Sequence, residues 1–454
     1  MSNNFSYKKK TVYEAADSSV VAKAFSYAED YKKYLDGGKT EREALKLSIE
    51  MAQAKGFKEY RIGDKISIGD KLYYNNRGKN LFLFSVGTKH INEGIRITAA
   101  HIDAPRIDLK QCPLYEEGGM GFFKTHYYGG IRKYQWVATP LALHGVIVLS
   151  DGSVIDVNIG EDESDPLFYI NDLLPHLGRE QAKLPLSEGI KGEQLNVLIG
   201  SIPDSEENSI KNNVLAILND KYGICEEDFL SAELCVVPAA KARDIGFDRS
   251  LIGAYGHDDR VCAYPALTAL LESTDSEHTL MCILADKEET GSDGPTGMQC
   301  DLMLDIINEL ASNLGGNAAA VRANSKCLSA DVSAAYDPNF PDVFEKQNTP
   351  LLSCGAVFTK FTGSGGKSST NDANAEYIAW LRSILDRDGV TWQAGELGKV
   401  DCGGGGTVAK YISKHNIETI DLGVPVISMH APYEVISKVD LYETFRAILA
   451  FYRY

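Results

Sequence analysis

Apolar and polar positions follow two different rhythms along the 454 residues, and the changes of rhythm mark out the elements. Thr40 and Glu43 stand at capping-box spacing ahead of Leu45, Ile49 and Ala52, an apolar face of helical period that runs to Gly56. Residues 81–86 and 95–99 read as strands, the second ending just before His101. From about Pro105 to Ala240 the texture is different. Tyr127-Tyr128-Gly129-Gly130 is followed by alternating apolar positions over 141–148, an Asp151-Gly152 turn and a second apolar run over 154–157, the pattern of a hairpin. Residues 160–215 are rich in Glu, Asp, Pro and Ser, the composition of long surface loops.

Beyond about residue 245 apolar strands at 280–285, 351–358 and 419–422 alternate with helical stretches at 260–273, 300–313, 374–387 and 440–453, the last preceded by a Ser437…Asp440 box. That alternation predicts an α/β fold with a parallel or mixed sheet covered by helices. The simplest organisation is one discontinuous α/β domain, 1–105 with 245–454, interrupted by a β-rich insert at 106–244. No internal repeat and no low-complexity tract is visible.

Charge narrows the functional classes. Lys+Arg 46 against Asp+Glu 63 gives a net charge of −17, and a field of that sign repels phosphate backbones. The one basic run is Lys8-Lys9-Lys10, so nucleic acid is not an expected partner. No apolar run approaches the roughly 18–20 residues of a membrane helix. The lysines near the start have no apolar stretch behind them and do not form a secretory signal. Nine cysteines, an odd number without a CxxC pair, fit reduced thiols and a cytoplasmic protein.

The chemistry concentrates at strand ends. In His101-Ile102-Asp103 alternation points both side chains the same way, and a carboxylate there accepts the second N–H of a metal-bound imidazole. A polar loop end is the plain alternative. Asp286-Lys287-Glu288-Glu289-Thr290-Gly291-Ser292 follows the strand at 280–285 directly. Neighbouring glutamates in an extended segment face opposite sides, so one can bind a metal while the other faces a water, although a solvated acidic turn gives the same pattern. Asp258 in Gly256-His257-Asp258-Asp259-Arg260, Asp331 after Cys327-Leu328-Ser329-Ala330, and His430 after Pro425-Val426-Ile427-Ser428-Met429 share the placement. Each has a bland reading: a helix cap, a turn, a buried histidine. Together they form the oxygen and nitrogen ligand kit of two divalent cations, with Asp258 suited to bridge them. Two glycine-rich stretches are decoys. In 363–368 the P-loop spacing fails because Phe361 stands where a glycine is required, and Gly403-Gly404-Gly405-Gly406-Thr407 is no dinucleotide fingerprint.

The ordered motifs Ala100-His101-Ile102-Asp103-Ala104-Pro105, His257-Asp258-Asp259, 286–292, Ser329-Ala330-Asp331 and Leu422-Gly423-Val424-Pro425…Met429-His430 resemble those of the M18 aminopeptidases of bacterial type, the aspartyl aminopeptidase family. The likeness covers nearly the whole chain, including 127–130 with Trp136 in the insert. The resemblance implies a mixed-sheet metallo-exopeptidase domain with a dimerisation insert, and two zinc-type ions per subunit, with Mn or Co as alternatives. His101 and Asp331 would hold one ion, Glu289 and His430 the other, and Asp258 would bridge. Glu288 would be the general base and Asp103 would orient His101. It further implies removal of N-terminal residues, acidic ones among them, from peptides by a homo-oligomer, in many members a tetrahedral dodecamer. Two departures bear on strict acidic preference. Asp172 stands where eukaryotic members place a histidine, and Asp331 is followed by Val332-Ser333-Ala334-Ala335 without the usual histidine. A broad M42-like aminopeptidase and an N-acyl amino acid deacylase use a similar ligand set and are the competing expectations.

Overall fold

The computed structural model describes residues 6–273 and 275–454; the first five residues of the N-terminal stretch lie outside it. The chain forms two compact units. One comprises Met1–Asp103, Ala242–Met429 and Glu434–Tyr454, the other Ala104–Lys241 with His430–Tyr433. The second unit thus recruits a four-residue segment from late in the sequence, which the hydrophobic pattern does not announce.

In the first unit a nine-stranded mixed sheet places Thr279–Ala285, Ile95–His101, Lys326–Ser329 and Glu418–Gly423 side by side at its centre. These four run parallel, with Ala285 opposite His101 and Ser329 opposite both Ala99 and Asp421. Asn80–Ser85 and Ala356–Thr359 flank them as antiparallel neighbours. Strands buried on both faces carry continuous apolar runs, and alternate side chains go to opposite cores. Ile95, Ile97 and Ala99 pack with Met281, Ile283, Ile306, Ile307 and Leu310. Ala100 and Ile102 pack on the other face with Cys282, Leu284, Leu267 and Ile448. His101 is the last residue of its strand, which runs two residues past the expected end at Ala99.

The helix Glu41–Ala54 opens with the expected box: Thr40 Oγ1 accepts from Glu43 N–H at 3.3 Å, and Glu43 Oε2 accepts from Thr40 N–H at 3.0 Å. The helices expected at 260–273, 300–313, 374–387 and 440–453 are His257–Glu272, Leu302–Asn313, Ala375–Arg387 and Lys438–Arg453. Two expectations fail locally. The strand expected at 351–358 is only Ala356–Thr359, because the chain turns twice before it, at Ser353 (φ 64°) and Gly355 (φ 86°). The Ser437…Asp440 box does not form. Asp440 instead accepts the amides of Ser353 (2.6 Å) and Gly355 (2.7 Å), and Ser437 Oγ lies 3.0 Å from Ser353 Oγ. A second sheet of this unit orders Arg243–Ile245, Leu251–Ala254, Glu434–Ser437, Pro425–Ile427 and Ser333–Ala334.

The second unit is a seven-stranded antiparallel sheet in the order Val154–Ile159, Leu141–Val148, Ala232–Pro238, Arg106–Glu117, Met120–Tyr128, Val197–Gly200 and Tyr169–Ile170. The first two strands are the expected hairpin, closed by Leu149 N–H donating to Ser153 O, with Gly152 at φ 85°. The loop-rich stretch after it contributes two short strands before the helix Ile210–Tyr222.

Candidate metal centre

Four parallel strands end along one edge of the large sheet, the position where open α/β sheets bind ligands. His101, 1% exposed, ends the central strand. Its Nδ1 lies 3.2 Å from Asp103 Oδ1 and 3.0 Å from the Asp103 carbonyl oxygen, so this nitrogen donates. Its Nε2 lies 3.1 Å from Asp258 Oδ1 and 3.9 Å from Glu288 Oε2. Asp103 is fully buried and does a second job: its two oxygens accept the N–H groups of Glu288 and Glu289, each at 3.2 Å. One carboxylate therefore fixes both the imidazole and the turn that carries the glutamate pair.

That turn is not the extended segment expected. Lys287 takes a left-handed conformation (φ 65°), Glu288–Thr290 form one turn of 3₁₀ helix, and Gly291 (φ 98°) closes it. The glutamates are thus presented by a tight turn, and the alternation argument for their facing opposite sides does not apply.

Asp258 and Asp259 lie at the mouth of their helix but are not helical, with φ/ψ of −76°/108° and −117°/23°. Gly256 precedes them at φ 74°, and a Cβ there would collide with the guanidinium of Arg260. Arg260 is fully buried, donating from Nε to Ile102 O at 3.2 Å and from Nη2 to Lys39 O at 2.8 Å, which ties this helix to the segment just past His101.

Two groups of possible ligands result. One atom each from His101, Asp258 and Glu289 lie within 4.8 Å of one another, as do one atom each from His101, Asp259 and Asp331. Asp259 is a residue that the sequence did not single out; its Oδ2 accepts the His101 N–H at 3.2 Å, while its Oδ1 is buried without a hydrogen-bond partner among the described residues. His430 belongs to the second unit, where its Nδ1 donates to Gly130 O at 2.9 Å, and it joins neither group.

The electrostatics fit a cation. Burial, and then the neighbouring Asp258, push the Asp259 carboxyl well above the usual range against the pull of His101. Asp331 is raised likewise by burial and then Asp259. Burial alone would lower His101, but its hydrogen bonds to Asp103 and Asp258 outweigh that and raise it well above 6.5. Behind the turn, burial and the charges of Glu41 and Asp103 push Asp286 up to about 7, and Thr296 Oγ1 donates to it at 2.6 Å. Left to themselves, carboxylates this close retain protons; a divalent ion takes the place of those protons, and imidazole with carboxylates is a donor set suited to zinc.

Comparison with known proteins places the chain in a metal-dependent family. A family model for aminopeptidase I zinc metalloproteases (M18) matches residues 34–452. The chain is 48% identical over 462 residues to a probable M18 family aminopeptidase 1 of Clostridium acetobutylicum, covering 99% of both chains. The crystal structure of an M18 family aminopeptidase from Thermotoga maritima superposes with a TM-score of 0.94 at 41% identity, covering 99% of this chain and 100% of that one. The S. cerevisiae mApe1 dodecamer shares the fold alone, with a TM-score of 0.78 at 20% identity over 94% of this chain and 96% of that one. The chain belongs to the M18 family of metal-dependent aminopeptidases, peptide hydrolases with a mixed α/β metallo-exopeptidase fold.

Proposed function

We propose that the chain is a dinuclear aminopeptidase that removes N-terminal residues, acidic ones among them, from peptides. The observation that carries this is the convergence of two carboxylate sets on one imidazole, each within 4.8 Å. His101 and Asp331 are assigned to one ion and Glu289 to the other, with Asp258 shared and Asp259 closing the His101 side. His430 enters the set on the sequence alone. When bound, divalent ions lower the pKa of water and polarise a peptide carbonyl. Glu288, whose carboxylate lies near His101 Nε2, is assigned to take the proton from the attacking water and return it to the leaving amine. Asp103 orients His101 and the glutamate turn.

Homo-oligomers are the proposed working form, and the second unit is the proposed contact surface. Leu173, Leu174, Leu177, Leu184 and Leu186 are all exposed along one loop-rich stretch of it, more apolar side chains than a lone surface keeps in one stretch. A dodecamer is the assembly favoured, by analogy with the yeast dodecamer. No helix is long and apolar enough to cross a membrane among the described residues, and all nine cysteines are free thiols, which supports a cytoplasmic location.

A panel of amino-acid p-nitroanilides and N-acyl amino acids, assayed on chelator-treated protein refilled separately with Zn, Mn and Co, tests this reading. Metal-dependent release from free-amine substrates, with two ions bound per chain at full activity, is expected. Activity on N-acyl amino acids alone would replace the aminopeptidase reading with a deacylase.

A further inference from the structure

Asp258 is held from outside the ligand set. The strand Leu251–Ala254 leads into Gly256 and Asp258, and it pairs antiparallel with Glu434–Ser437, Ala254 standing opposite Glu434. This register brings a carboxylate from 176 positions further along the chain to the Asp258 backbone. Glu434 is 1% exposed, and its Oε2 accepts the Asp258 N–H at 3.0 Å. Removing one partner from a buried hydrogen bond costs more than the bond contributes. On the other side the preceding ring is fixed too. Tyr31 OH lies 2.9 Å from His257 Nδ1, and His257 Nε2 donates to Ile252 O at 3.2 Å. Asp258 itself has φ −76° and ψ 108°, outside the helical region, so no helical ladder fixes its orientation.

We infer that Glu434 is a positioning residue that aims the Asp258 carboxylate into the metal centre by holding the Asp258 amide. This rests on the reading of Asp258 as a ligand. The role depends on reach and on an acceptor oxygen, and a neutral amide of the same length supplies both. Partners that orient a metal ligand typically alter metal affinity about 10–100-fold when lost. The effect therefore belongs to metal binding and is measurable without turnover.

The test compares E434Q, which keeps length and acceptor but not charge, with E434D, which keeps charge but is one methylene too short. Zinc affinity is read by competition with a chromophoric chelator, and site geometry from the visible absorption of the cobalt-loaded protein. The expected result is E434Q close to the unchanged chain in both readouts, and E434D weaker in zinc binding by about 10–100-fold with an altered cobalt spectrum. Equal affinity in E434D and the unchanged chain overturns the inference, as does an E434Q that weakens as much as E434D, since reach and an acceptor oxygen are then not enough. D258A separates the two levels. If it keeps its full zinc content, Asp258 is no ligand and the proposed centre fails; if it loses zinc while E434D does not, only the role of Glu434 falls.

Discussion

Glu288 and Glu289 are chemically identical neighbours, and the different tasks proposed for them rest on the turn that presents them. Glu289 falls within 4.8 Å of His101 and Asp258 in ligand-atom distance, whereas Glu288 Oε2 stands 3.9 Å from His101 Nε2. Glu288→Gln preserves size and hydrogen bonding to a water but removes proton acceptance. Loss of a general base typically costs about 10²–10⁴-fold in rate, so kcat should fall by that much with metal content unchanged. Glu289→Gln should instead lose activity by losing an ion, and excess metal should restore part of it. Metal analysis alongside kinetics decides between them: metal loss in the Glu288 variant with retention in the Glu289 variant reverses the assignment. At this scale the sequence was informative wherever a residue ends an apolar strand, as His101 does, and uninformative wherever a role depends on pairing. Asp259 does not stand out until the His101 amide is found on its carboxylate, and Glu434 is silent until the strand at 251–254 meets 434–437.

Elements whose stability is local were legible in the same way. Thr40 and Glu43 carry a complete signal within four residues, and the helix begins there. Residues 351–358 are as apolar as a strand, but the left-handed positions Ser353 and Gly355, fixed by the distant Asp440, break the segment, and no window centred on it contains that partner. The start of the central strand Thr279–Ala285 supplies a pH prediction. His278 is buried with Nε2 3.2 Å from both Arg96 Nη2 and Lys89 Nζ, and burial, then those two charges, bring it down to about 4. In the unfolded chain a histidine takes up its proton near pH 6.5, in the folded one only near 4. Stability is therefore constant above about 6.5 and falls as pH drops from there to 4, by about 3 kcal/mol at most. His278→Gln should flatten that part of the stability profile, measured by denaturant unfolding at pH 7, 5.5 and 4.5. An unchanged slope means other groups dominate the acid response.

For the whole molecule, the proposed assembly makes a separable prediction. Leu177 and Leu186 are 69% and 60% exposed, and both belong to the second unit, which contributes neither group of converging ligands. Leu177→Asp with Leu186→Asp should place charge on a buried subunit contact and yield smaller species by light scattering, with metal content per chain preserved. An oligomer of unchanged mass would remove this stretch from the interface.

The parallel centre of the large sheet also sets a timetable for synthesis. Among the described residues Ile95–His101 is paired with Thr279–Ala285 and Lys326–Ser329, so a strand buried along its whole length leaves the ribosome about 180 residues before its first neighbour exists. At about 5–20 residues per second that is roughly 10–35 s with both edges unsatisfied. During this interval the unpaired strand edges are exposed to aggregation. The proposed centre is also incomplete then, because Asp258, Glu289 and Asp331 have yet to arrive beside His101. The order of strands in the sheet thus postpones assembly of the proposed centre until at least Asp331 has been made.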